Sequence, residues 1–223
     1  MFQPRFDILL APQKALWNEL AFTAKMGFTL YGGTAIALRL GHRKSVDFDF
    51  FAGPDRDKNV ILESSTVLGR GSVIQDAENT LTIIAERAGE PVKISFFGGR
   101  VPARIAGRVG QPDVTDDGVL QVASLDDLFA TKVKVILDRA EAKDYVDILA
   151  LLAAGEPLDR ALGAAMTIYG SAYQPFESVK ALTYFGDGDL GTLSKRDQSY
   201  LIEVAEKDHA IGTVPLLASH LGI

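Results

Sequence analysis

Apolar residues along the chain follow two periods, and the points where one gives way to the other predict the elements. Leu16, Leu20 and Ala24 repeat at helical spacing in a segment that opens with Pro12 and closes with Gly27, so one packing helix is expected over 12–27, with Trp17 adjoining its core stripe. Phe28–Tyr31 is short, aromatic and β-branched, which predicts a buried strand that stops at Gly32 and Gly33. Ala35–Leu40 returns to a helix, with Thr34 placed as its cap and Gly41 as its end. Val46–Phe50 then alternates strictly, so a strand there puts Val46, Phe48 and Phe50 on one face and Asp47 and Asp49 on the other.

Further on, Asp57–Leu68 predicts a helix after the Ala52–Asp55 loop. Leu81–Ala85 and Val92–Phe97 predict an antiparallel hairpin beside the acidic strand, joined at Gly89–Pro91. Ser124, with Asp127 three residues on, has the form of a capped start for a helix over Leu128–Asp138, and Asp144–Leu152 forms another helical stretch. Pro157–Tyr169, Pro175–Tyr184 and Ser194–Lys207 predict three more helices, separated by joints such as Gly186–Asp189. The aromatic residues of this last region, Tyr169, Tyr173, Phe176, Tyr184, Phe185 and Tyr200, read mostly as packing residues. The division expected is a core over 1–122 and a helical region over 123–223 that packs on it.

The chemistry concentrates in 31–51. Two adjacent glycines turn the backbone tightly and leave N–H groups able to meet phosphate oxygens, and a following helix start favours an anion at the same place. Asp47 and Asp49 would have Cα atoms ~6.7 Å apart, close enough to share a divalent metal. Magnesium, which completes its shell with water and substrate phosphates, suits such a pair, so the segment suggests a metal–nucleotide site. The bland reading is a half-exposed strand with solvated acids; the combined spacing of strand, turn, helix and strand favours function. Lys93, on the second hairpin strand, reads equally as a phosphate contact or a solvated lysine. Arg100, Arg104 and Arg108 form a basic cluster that could grip a triphosphate or an RNA backbone, or could lie on a solvated surface.

Gly32-Gly33-Thr34, then Leu38–Arg43 and Ser45–Phe50, resemble the opening of the AbiEii/AbiGii toxin family of nucleotidyltransferase-like proteins, and the likeness returns at Leu128–Lys132 and Lys143–Asp147. The resemblance implies an α+β fold, a mixed sheet of the nucleotidyltransferase type flanked by helices with a C-terminal helical extension. It also implies transfer of a nucleoside monophosphate from an NTP to an acceptor. In that frame Asp47 and Asp49 hold Mg2+, and Gly32, Gly33, Thr34, Arg43, Ser45 and Lys93 bind the nucleotide. Lys132 offsets phosphate charge, and Asp144 positions Lys132 or Arg139, with Asp147 a structural pair. A toxin-like role with a separate antitoxin is implied, and some relatives act on RNA such as the acceptor end of tRNA. Ser95 stands where the family pattern commonly has an acid. The alternative is therefore a catalytically inactive nucleotide- or RNA-binding member of the same fold.

Composition changes this picture little. At 223 residues and 47% hydrophobic content the chain can bury a full core. It has no cysteine, which removes disulfides and thiolate metal sites, and its three histidines, His42, His209 and His220, lack metal-ligand spacing. A net charge of −6 argues against a protein that coats nucleic acid. No secretory start and no apolar run of about 20 residues is present, so a cytoplasmic protein without a membrane span is expected.

Overall fold

In a computed structural model, which describes residues 1–52, 58–98 and 107–221, the acidic strand lies inside a mixed sheet and the chain is an α+β protein. Helices α1 (Ala11–Leu16) and α2 (Ala21–Lys25) lead into β1 (Thr29–Tyr31), α3 (Gly32–Leu40) and β2 (Asp47–Phe51). Next come α4 (Lys58–Glu63), α5 (Thr66–Arg70), β3 (Ser72–Ala77), β4 (Thr80–Arg87) and β5 (Glu90–Phe97). Short strands β6 (Asp113–Val114) and β7 (Gln121–Val122) precede α6 (Leu125–Val135), α7 (Ala142–Ala153), α8 (Leu158–Tyr169), α9 (Pro175–Ala181) and α10 (Lys195–Ala205).

Among the described residues the sheet order is β3-β4-β5-β2-β1-β7-β6. β2 runs antiparallel to β1 and parallel to β5; Asp49 is paired on both sides, with Tyr31 and Ser95, and Asp47 with Lys93 of β5. The alternation of β2 explains its place. Phe48 and Phe50 are fully buried, and Phe50 stacks on Phe96 of β5 with ring centroids 5.6 Å apart, while Phe28 meets Phe96 edge-on at 5.3 Å. Phe22 of α2 closes over the same aromatic face. The opposite face of β2 carries Asp47 and Asp49 and then Phe51, which stacks on Phe97.

Several expectations change. The segment 12–27 is two short helices separated by a 3₁₀ turn at Trp17–Leu20. Trp17 is buried as expected, but its indole N–H donates to Asp117 at 2.7 Å, and the Thr23 hydroxyl bonds back to the Leu20 carbonyl, which competes with a continuous helix. Val46 is exposed and precedes β2, so it does not share the face of Phe48 and Phe50. The helix expected over Asp57–Leu68 divides into α4 and α5; the Ser64 hydroxyl takes the Val60 carbonyl at the break, and Asp57 and most of the preceding loop lie outside the described residues. The edge strand β3 is exposed along its whole length and carries no alternating pattern, so sequence periodicity could not reveal it. α6 starts at Leu125, directly after the Ser124 cap, and stops earlier than expected, at Val135. Tyr169 and Tyr173 are buried and Phe185 packs on Tyr145, whereas Phe176, Tyr184 and Tyr200 are exposed. No helix of the described residues is long and apolar enough to cross a membrane.

α6 and α7 pack on α3, and α8 packs on α6, which joins the C-terminal half to the helix that follows the glycine turn. The start of α6 is secured by Asp127. Its carboxylate accepts the Ser124 hydroxyl at 2.6 Å and the Val109 and Gly110 amides at 2.8 and 3.1 Å, while Ser124 accepts the Asp127 amide as the cap. Asp127→Ala leaves these amides unpaired, so it is expected to lower unfolding free energy by about 2–4 kcal/mol in urea titration, while Asp126→Ala, which removes only a partly exposed ion pair with Arg160, lowers it by less than ~1 kcal/mol.

Candidate active site

Gly32 opens the site. It adopts φ +75°, a conformation that favours glycine, and an added Cβ would stand 2.9 Å from Asp49 Oδ2, so the β1–α3 turn can lie against Asp49 only without a side chain. A Cβ on Gly33 would collide with the Arg43 guanidinium. The helix begins at Gly32, so Thr34 sits within its first turn and does not cap it. The Thr34 side chain is buried; its hydroxyl donates to the Asp47 carbonyl and lies 2.8 Å from the Ser45 hydroxyl. Thr34 and Ser45 therefore tie α3 to the start of β2 and hold the acidic strand in register with the glycine turn.

On the sheet, the parallel pairing of β2 and β5 sets Asp47 beside Lys93 and Asp49 beside Ser95. The Lys93 ammonium lies 2.8 Å from Asp47 Oδ2. Burial, and then the neighbouring Asp47 charge, push the Asp49 carboxyl above its ordinary range; Lys93, a hydrogen bond from Ser95 and Lys132 pull in the other direction.

Behind Asp49 stands a buried ionic network carried by α6 and α7. Lys132 Nζ lies 2.6 Å from Asp144 Oδ1 and 2.6 Å from Asp147 Oδ2, and both carboxylates are fully buried. Asp144 also accepts Arg139 through Nε at 2.8 Å and Nη2 at 3.2 Å. Asp147 accepts Arg43 through Nε at 2.6 Å and Nη2 at 2.9 Å, and His42 Nε2 lies 2.7 Å from its Oδ1. Burial by itself would raise both carboxyls. The hydrogen bonds from Arg139 and the Lys132 charge hold Asp144 below its usual range, and His42, Arg43 and Lys132 hold Asp147 far below it.

The geometry thus gathers Gly32, Gly33, Thr34, Asp47, Asp49, Lys93, Lys132 and Asp144 about one end of β2, but with unequal freedom. The Arg43 fork, a candidate for gripping phosphate, is spent on Asp147, and its Nη1 donates to the Lys44 carbonyl. Asp147 pairs with three basic groups, Lys132, Arg43 and His42, and His42 thereby enters the site although its type and spacing did not mark it. A signal did exist for Asp147. Asp144, Asp147, Ile148 and Leu151 fall on one helical stripe, so two acids share the buried face of α7. Arg108 turns away from solvent, donating to the Gly110 carbonyl and Gln111 Oε1; Arg100 and Arg104 lie outside the described residues.

Residues 16–199 match the family described as nucleotidyl transferase AbiEii toxin, type IV TA system. The chain belongs to the AbiEii nucleotidyltransferase toxin family. The AbiEii match spans every group just described, from the β1–α3 turn to the acids of α7. The uncharacterised Aquifex aeolicus (strain VF5) protein aq_aa25 is 32% identical over 127 residues, a stretch that makes up 56% of this chain and 57% of that one, so the likeness covers little more than half of that relative's length. MenT4, a nucleotidyltransferase toxin of Mycobacterium tuberculosis H37Rv, is similar in fold, with a TM-score of 0.57 at 14% identity over 87% of this chain and 80% of that chain. This likeness places the AbiEii sheet and its flanking helices in the nucleotidyltransferase fold.

Because Asp147 is folded into contact with three basic groups, Asp147→Ala strands buried charges and is expected to cost about 3–5 kcal/mol in denaturant unfolding. The sign of the pH effect follows from the lowered carboxyls. Asp144 and Asp147 titrate lower when folded than the ordinary aspartate value of about 3.9, so their contribution is complete above that value and is lost as pH falls through the folded values. Thermal melts taken downward from pH 5 should show the midpoint falling progressively below about pH 4.

Proposed function

We propose that the chain transfers a nucleoside monophosphate from an NTP to an acceptor hydroxyl with the help of magnesium, as the toxin of a toxin–antitoxin pair. The observation that carries this reading is the placement of the Asp47–Asp49 pair between the glycine turn of α3 and the buried Lys132. In the reaction a bond forms between the acceptor oxygen and the α-phosphorus, the hydroxyl proton passes to water, the bond from that phosphorus to the bridging oxygen breaks, and pyrophosphate leaves with the electron pair. Such a transfer needs chiefly positioning and charge stabilisation.

The residues present fit a magnesium ion. Asp47 and Asp49 lie on one strand face, the like charge of Asp47 raises the Asp49 carboxyl, and a dication between them would relieve that repulsion. Among the described residues no group of three His, Cys, Asp or Glu could hold a metal, which suits an ion that completes its shell with phosphate and water. When bound, the ion supplies charge neutralisation at the triphosphate. The cations of the inner network are already matched: Lys132, Arg43 and Arg139 are paired with Asp144 and Asp147. A triphosphate entering this balanced site brings negative charge that an added cation must meet.

Gly32 and Gly33 provide the turn along which phosphate oxygens approach, and Lys93 is the exposed cation beside it. Lys132 spends two of its three N–H donors on Asp144 and Asp147, which leaves one for a substrate oxygen. Asp144 positions Lys132 and Arg139; Arg43 and His42 position Asp147. The acceptor class we favour is RNA, with the acceptor end of tRNA as the leading member, and the partner is the cognate antitoxin. A second reading, an inactive nucleotide-binding member of the family, rests on Ser95, which stands beside Asp49 in place of a carboxylate.

Incubation with magnesium, each labelled NTP and pooled RNA and protein tests the proposal. Label is expected in RNA, and the Asp47→Asn/Asp49→Asn double variant is expected to lose at least ~10³-fold in transfer rate. Nucleotide binding without transfer to any acceptor would favour the inactive reading.

A further inference from the structure

Asp47 and Asp49 meet unequal neighbours on β5. Asp47 faces the ammonium of Lys93 at 2.8 Å, and Asp49 is paired across the strands with Ser95, a neutral hydroxyl. Two divalent ions side by side, as in two-metal phosphoryl-transfer sites, bring four positive charges within about 4 Å and need protein anions to offset them. This face offers two carboxylates, one of which already holds a cation, and among the described residues no third acid, histidine or cysteine stands with them. A neutral hydroxyl at Ser95 cannot replace the missing charge.

Lys93 is suited to make up the difference. Its side chain is 40% exposed, so the ammonium is at the mouth of the site and not packed into the protein. It carries three donors on a flexible stem, only one of which is needed by Asp47. Lys132 is buried between Asp144 and Asp147, and Arg139, although partly exposed, commits its Nε and Nη2 donors to Asp144, so neither is as free as Lys93.

We propose that Lys93 is the second cation of this site: the protein binds a single divalent ion together with the nucleotide, and the Lys93 ammonium supplies the positive charge that a second ion brings elsewhere. The inference rests on the nucleotidyl-transfer reading and states its metal requirement.

Counting bound Mn2+ by electron paramagnetic resonance and equilibrium dialysis tests it, using the full chain saturated with an NTP analogue whose α,β bridge is methylene, so that no transfer occurs. One Mn2+ per chain is expected. Lys93→Met, which frees Asp47 from the ammonium, is expected to bind Mn2+ about tenfold more tightly in the absence of nucleotide. Lys93→Met/Ser95→Asp, which restores a third carboxylate and removes the competing cation, is expected to take two Mn2+ per chain in the presence of the analogue. Circular dichroism melts confirm that each variant is folded. Two Mn2+ on the unaltered chain, unchanged Mn2+ affinity in Lys93→Met, or a single ion on the folded double variant overturns the inference while leaving the nucleotidyl-transfer reading intact. Absence of any analogue-dependent Mn2+ on the unaltered chain overturns both.

Discussion

The Lys132 ammonium, held between two fully buried carboxylates, is the interaction on which the arrangement of the site depends. A charge taken out of water must be matched closely, and each partner here has other partners of its own. Asp144 ties Lys132 to Arg139, at the junction between α6 and α7. Asp147 ties it to Arg43 and His42, in the connection between α3 and β2. One ionic network thereby joins the C-terminal helices to the strand that carries Asp47 and Asp49. Loss of Lys132 removes the cation that Asp144 and Asp147 share, so the site is expected to hold its geometry as a unit.

The sheet contributes a different kind of control. Backbone pairing between β2 and β5 acts as a ruler, setting Lys93 against Asp47 and Ser95 against Asp49 in the same row. The aromatic residues on the opposite face, Phe48, Phe50 and Phe96, resist a slip of that register, since moving by one residue would send them to the polar side and the acids into the core. Packing on one face of the sheet thus specifies chemistry on the other. Thr34 and Ser45 complete the alignment by linking the first turn of α3 to the backbone of Asp47.

Local elements with strong patterns were legible from the chain. The alternation through Phe48 and Phe50 identified β2 and the acidic face, and Gly41, at φ +69°, ends α3 as its sequence position suggested. The hairpin of β4 and β5 and the Ser124 cap were likewise visible. Elements that carry little pattern were not. β3 is exposed throughout, and 12–27 has an unbroken helical stripe although hydrogen bonds of Trp17 and Thr23 divide it. Thr34 has the composition of a cap, yet α3 begins at Gly32 because that glycine accepts the left-handed conformation and the close approach of Asp49.

By itself the amino-acid sequence determined which residue types are available, which of them share a strand or helix face, and, through the recurrence of family motifs, the kind of fold. The sharing of faces follows from periods of two and 3.6 residues and needs only near neighbours, whereas the kind of fold rested on the family resemblance. Tertiary structure decided which charges meet. Arg43 and Asp147 are 104 residues apart, and Lys93 and Asp47 lie on strands separated by α4, α5 and a hairpin. Whether a basic side chain grips substrate or steadies a buried acid depends on which counter-charge folding brings within about 3 Å, and no local pattern carries that distance. That is why Arg43 reads as a phosphate ligand in the chain and as a support for Asp147 in the fold.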